Sequence, residues 1–142
     1  MIMTSTLKRT IATARHFTAE KIAMPTLDEI DAGLCDGMTY DSIARALPEE
    51  FAARAADKLH YRYPRGESYM DVIQRLEPVL IELERIERPI LVISHQAITR
   101  VLLAFFQEIQ PEKIPYTEVP LHTLIEIQPS AYKLELKQYK LL

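Results

Sequence analysis

Between Ile90 and Ser94 apolar residues follow one another without a polar break, and from Gln96 to Phe106 they recur at helical spacing. The unbroken run predicts a strand covered on both faces, as in a parallel sheet flanked by helices. The periodic stretch predicts a helix. Upstream, Ser68 with Asp71 three residues on is a capping-box pattern. It opens a long helix reaching about Ile86, with Val72, Leu76, Val79, Leu80 and Leu83 as its buried stripe and Pro78 as a bend. Leu7, Ile11 and Ala14 give Thr6 to Phe17 an amphipathic helical pattern, with Ser5 as its cap. Asp41 to Leu47 reads as a short helix, and Pro48, at a first-turn position, opens another through Asp57. "TLIEI" and "YKLELKQY" alternate apolar and polar around "QPSA", which predicts an antiparallel hairpin at a sheet edge. The stretch "MPTLDEIDAGLCDGMTY" holds two of the three glycines and several aspartates, and reads as an irregular loop. Helix, strand, helix and hairpin in that order predict an α/β fold without internal repeats.

Composition narrows the function classes. With 142 residues and 48% hydrophobic content, residues 1–142 can bury one core as a single domain. A net charge of −3 with no basic segment argues against a nucleic-acid partner. Apolar runs such as Val101 to Phe106 fall far short of the roughly 20 residues that span a bilayer, so no membrane partner is expected. "MIMTSTLKRT" lacks the pattern of a signal peptide, and the lone Cys35 excludes an intrachain disulfide. A reducing, cytoplasmic location fits, with Cys35 as a small core or loop residue.

His95 stands one residue beyond the predicted strand and just before a helix. Ligands bind at such carboxyl ends in open α/β sheets, beside the N–H groups of a helix N-terminus. A buried histidine bonded to backbone is the plainer reading. Ser94, Gln96 and Arg100 add donors on the same edge. Lys8 and Arg9 fall in the first turn of a helix, where the dipole disfavours cations, so either solvent or a bound anion accounts for them. Arg54 and Lys58, four apart, read as one helical face, either a solvated stripe or an anion clamp. Tyr40 and Tyr69 lie near turns, as packing residues or ligand contacts. Glu29, with Asp28 and Asp31, reads as part of a solvated acidic loop or as a site carboxylate.

At "TSTLKRTIATA", "LDEIDAGLCDGMTYDSI", "YRYPRGESYMDVIQRLEPVLIELE", "VISHQAITR" and "VPLHT", the chain resembles the fructose-2,6-bisphosphatase domains of bifunctional 6-phosphofructo-2-kinase/fructose-2,6-bisphosphatases. These belong to the histidine phosphatase, or phosphoglycerate mutase-like, superfamily, and the resemblance runs from about Thr4 to Leu142. It implies an α/β three-layer fold and hydrolysis of the 2-phosphate of fructose 2,6-bisphosphate through a phosphohistidine. By the same resemblance Arg9 would hold the phosphoryl group, Glu29 would protonate the departing sugar oxygen and His95 would stabilise the transferring phosphoryl. Tyr40, Arg54, Lys58, Tyr69, Gln96 and Arg100 would grip the fructose 6-phosphate portion. No metal or organic cofactor is implied. A kinase domain binding ATP on the same polypeptide is the implied partner besides the phosphosugar, and a homodimer exchanging strands is a separate expectation, as one way to complete the sheet.

Members of the superfamily carry their nucleophilic histidine in an Arg-His-Gly motif at the end of the first, central strand, and that motif is nowhere in these 142 residues. The expectation is therefore a partial domain that lacks the first strand and first helix, with the nucleophile outside the chain. Two rivals stand beside a bisphosphatase: an inactive phosphosugar-binding or interaction module, and a histidine phosphatase for another phosphate ester. His122, in "PLHT", is expected to contribute backbone rather than ring.

Overall fold

The computed structural model describes residues 1–142. Three short parallel strands, β1 (Ile2–Thr4), β2 (Lys21–Ala23) and β3 (Leu91–Ile93), form a sheet in the order β2-β1-β3. Ile2 pairs with Leu91 and Thr4 with Ile93, so β1 and β3 end level with each other. That register brings Ser5 and His95, which follow those two ends, side by side. Neither β1 nor β2 is predicted from the sequence. Three residues are too few to establish a period, yet Ile2, Met3 and Thr4 are all buried at the centre of the sheet. The outer edge of β3 carries no strand, and its three residues are half-buried rather than enclosed on both sides as predicted.

Helix α1 is Lys8–Ala14, shorter than predicted at both ends. Leu7 stands at its N-cap and has no polar side chain to cap with, while Ser5, the predicted cap, lies two residues earlier and its hydroxyl accepts from Leu7 N at 3.2 Å. Helix α2 (Tyr40–Ala46) is capped by the Thr39 hydroxyl, which accepts from Ser42 N. Pro48 starts α3 (Pro48–Ala56) as predicted. Helix α4 (Tyr69–Arg85) opens on the predicted Ser68 and Asp71 capping box and runs through Pro78. Helix α5 spans Gln96–Phe106, as its periodicity predicts. The loop from Met24 to Thr39 is irregular apart from two short 3-10 turns, Pro25–Leu27 and Gly33–Cys35.

The core forms where α4 packs on α5 and beneath the loop. Leu27, Val72, Leu76 and Ile98 are fully enclosed in it, with Met3, Val79, Leu80 and Val101 around them. Leu83 lies half-buried at its margin. Strands β4 (Thr123–Pro129) and β5 (Leu134–Lys140) pair antiparallel, as predicted, but as a sheet of their own, not as an edge of the parallel sheet.

Candidate active site

His95 is 7% exposed, and both of its ring nitrogens are occupied. Arg9 Nε donates to His95 Nδ1 at 3.1 Å. An arginine can only donate, so Nδ1 bears the lone pair and the ring proton is on Nε2. His95 Nε2 therefore donates to Ser5 Oγ at 2.7 Å, and the Ser5 hydroxyl donates onward to Thr10 Oγ1 at 2.7 Å. Thr10 in turn donates to the Leu7 carbonyl at 2.9 Å, which closes the chain on the first turn of α1. The ring is neutral. Burial, followed by the adjacent Arg9 charge, pushes its pKa down to about 4. Arg9 is an exposed residue, and its charge also acts on Glu29. In this arrangement His95 positions Arg9, and no ring nitrogen is free for a ligand oxygen. Ser94, expected on the same edge, instead donates its hydroxyl to the Leu27 carbonyl at 2.9 Å.

Glu29 is carried by the irregular loop to the N-terminus of α5. The Ile30 amide donates to Glu29 Oε1 at 2.9 Å, the Ala97 and Gln96 amides at the start of α5 face the carboxyl, and the Arg9 charge acts on it from α1. Burial outweighs these and raises its pKa. The loop is held close to the "PRGES" turn. A side chain on Gly33, at φ +52, would collide with the Pro64 carbonyl oxygen, and one on Gly66 with that of Asp31.

Beyond Glu29 opens a cavity of about 520 Å³, whose lining includes Tyr40, Arg54, Lys58, Tyr69, Gln96 and Arg100. Arg54 lies over the Tyr40 ring, 4.8 Å from its centroid, and donates to the Tyr40 hydroxyl at 3.3 Å. Arg100 donates to the Tyr69 hydroxyl at 2.9 Å and to the Thr117 carbonyl at 2.8 Å. Lys58 stands over the Tyr116 ring. Burial, then Arg54 and Arg100, lower the Lys58 pKa, which means these cations oppose one another. None of the three, nor Arg9, forms a salt bridge. Lys58 lies past the end of α3, so it does not share a helical face with Arg54 as its spacing predicts. The chain turn at Asp57 brings it to the cavity instead.

All six residues expected to grip a phosphosugar thus line one cavity together with Glu29, while Arg9 and His95 form an adjoining pair. Ser5, Thr10, Tyr63 and Tyr116 were not singled out as site residues. Ser5 carries a signal only as a cap, Thr10 and Tyr63 only as members of the stretches that carry the resemblance, and Tyr116 carries none.

The profile of the histidine phosphatase superfamily (branch 1) matches residues 1–141. The chain belongs to that superfamily. It is 55% identical over 142 residues to a 6-phosphofructo-2-kinase/fructose-2,6-bisphosphatase of Arabidopsis thaliana, covering 99% of this chain and 19% of that protein. It is 50% identical to a fructose-2,6-bisphosphatase of Saccharomyces cerevisiae, covering 98% of this chain and 30% of the relative. The chain therefore spans less than a third of the length of either. Among solved structures, the alpha-ribazole phosphatase of Shigella flexneri superposes with a TM-score of 0.86 at 21% identity, covering 99% of this chain and 72% of that one. A mycobacterial glucosyl-3-phosphoglycerate phosphatase in complex with inorganic phosphate gives 0.80 at 20%, covering 99% of this chain and 76% of that one. These likenesses show the histidine phosphatase fold, α/β with a parallel sheet and helices.

Proposed function

We propose that residues 1–142 form part of a single histidine phosphatase domain that hydrolyses the 2-phosphate of fructose 2,6-bisphosphate. The observation that carries this reading is the convergence of Arg54, Lys58 and Arg100 on one cavity without a carboxylate partner. Like charges kept together at a mutual cost imply an anion that offsets it. Under this reading the 6-phosphate sits among them, Tyr40, Tyr69 and Gln96 contact the sugar, and Arg9 holds the transferring phosphoryl. Identities of 50% and above to proteins named for this activity support the choice of sugar phosphate.

The chemistry follows from the environment of Glu29. Burial keeps its carboxyl protonated to higher pH than an exposed glutamate, so it can give a proton to the sugar oxygen as the P–O bond breaks. A histidine nitrogen accepts the phosphoryl, and Glu29 then takes a proton from the water that releases phosphate. His95, with both ring nitrogens occupied, does not suit that role, and these 142 residues hold no Arg-His-Gly motif, so in this reading the accepting histidine lies outside them. In the same reading the protein is cytoplasmic, pairs as a homodimer and shares its polypeptide with a kinase domain, as the name of the Arabidopsis thaliana relative states for that protein.

Calorimetric titration with fructose 6-phosphate tests the site. Saturable binding is expected, and Arg54→Ala should weaken it about tenfold, the worth of one charge-assisted hydrogen bond. An unchanged affinity would count against the assignment. The chain alone should turn over fructose 2,6-bisphosphate negligibly, and substantial hydrolysis by it would overturn the placement of the nucleophile.

A further inference from the structure

We propose that Arg75, paired with Glu67, is the positioning residue for Glu29: a strut from α4 that fixes the loop bearing the acid. The Arg75 guanidinium donates to the carbonyls of Thr26, of Asp28 at 2.7 Å and of Glu29 at 3.4 Å. On its other side it meets Glu67, Nε to Oε1 at 2.7 Å and a terminal nitrogen to Oε2 at 3.1 Å. Glu67 Oε2 also accepts from Asp31 N at 2.9 Å, and Glu67 N donates to the Asp31 carbonyl at 2.8 Å. Residues on both sides of Glu29 are therefore held by one ion pair.

The physical need is specific. No strand or helix covers Asp28 to Ala32, so the carbonyls there have no ladder partners and still require donors. A planar fork of five donors can reach several carbonyls and a carboxylate at once, whereas a lysine offers three donors from a single atom. Both side chains of the pair are 23% exposed, so water screens it less than a surface pair. The outcome is a fixed seat for the Glu29 carboxyl, faced by the Ile30, Gln96 and Ala97 amides, by Arg9 from α1 and by Tyr69 from α4.

That the seated group acts as the acid rests on the function proposed above, so the strut is tested without turnover. Carboxyl ¹³C NMR follows the titration of Glu29, assigned by loss of its signal in Glu29→Gln, and hydrogen exchange follows the Asp31 amide. In Arg75→Met the Glu29 midpoint should fall toward the ordinary carboxylate value, and Asp31 should exchange at least tenfold faster, because Glu67, the acceptor of its amide, loses the partner that holds it in place. A merely structural arginine would lower the melting temperature and leave the Glu29 midpoint where it was, which would overturn the proposal. Arg75→Lys should behave like Arg75→Met; full restoration by lysine would overturn the requirement for the fork. If Arg75→Met does not fold, Glu67→Gln decides, because it keeps the shape and removes the charge. It should move the Glu29 midpoint in the same direction by less, and no movement would overturn the strut. Fructose 6-phosphate binding to the unmodified chain separately tests the functional reading.

Discussion

His95 owes its state to two neighbours that no local sequence pattern announces. Its ring proton is on Nε2 because Arg9 occupies Nδ1, and the ring is neutral because burial and that cation both oppose its protonation. Ring ¹⁵N NMR should show the Nε2–H tautomer and a titration near pH 4; a midpoint near the ordinary histidine value would contradict the geometry. The stability consequence has a definite sign. The native pKa lies below the unfolded one, so the unfolded chain takes up the proton first. The contribution of His95 is complete above about pH 6.5 and is lost as pH falls through about 4. Glu29 acts oppositely, since its raised native pKa makes the native state the better proton binder, and stability from it is lost as pH rises. Comparing acid unfolding of Glu29→Gln with the unmodified chain isolates the glutamate contribution, and the loss that remains in Glu29→Gln near pH 4 includes that of His95. The position of His95 beyond a strand was legible from the run before it. Its partnership with Ser5 was not, because the strand that ends at Thr4 gives no periodic signal.

Elements with their own boundary chemistry were legible almost to the residue. Helix α4 starts where Ser68 and Asp71 satisfy each other's backbone amides, and Arg62 braces Asp71 with a bond from Nε at 2.8 Å. Ser68→Ala should cost about 1 kcal/mol, measured by urea denaturation, because the first turn loses an acceptor for the Asp71 amide. Helix α5 was equally clear, since its apolar positions recur over three turns. Lys58 shows where periodicity misleads. Four-residue spacing from Arg54 suggests a shared face, yet α3 ends at Ala56 and the same two cations meet through a turn. The site was legible as a set of residue types matching a family, and its actual geometry depends on an irregular loop that carries no period at all.

At the scale of the molecule, the parallel sheet and the β4–β5 hairpin are separate, and this divides stability between them. The sheet is tied to the core through Met3, whereas a two-stranded hairpin is marginal in isolation. Hydrogen exchange should therefore be faster across Thr123–Pro129 and Leu134–Lys140 than in β1, and equal protection in both would show that they unfold as one unit. The register of β1 also sets a timetable for synthesis. Its partner on one side, Lys21, follows within a few turns of chain, but its partner on the other, Leu91, is separated by most of the sequence. At roughly 5–20 residues per second, β1 waits on the order of 5–20 s with one edge open before β3 emerges. During that interval the most central strand of the molecule is also its most vulnerable. A ribosome-held chain arrested before β3 should be cut by protease near Met3, and one released after it should be protected.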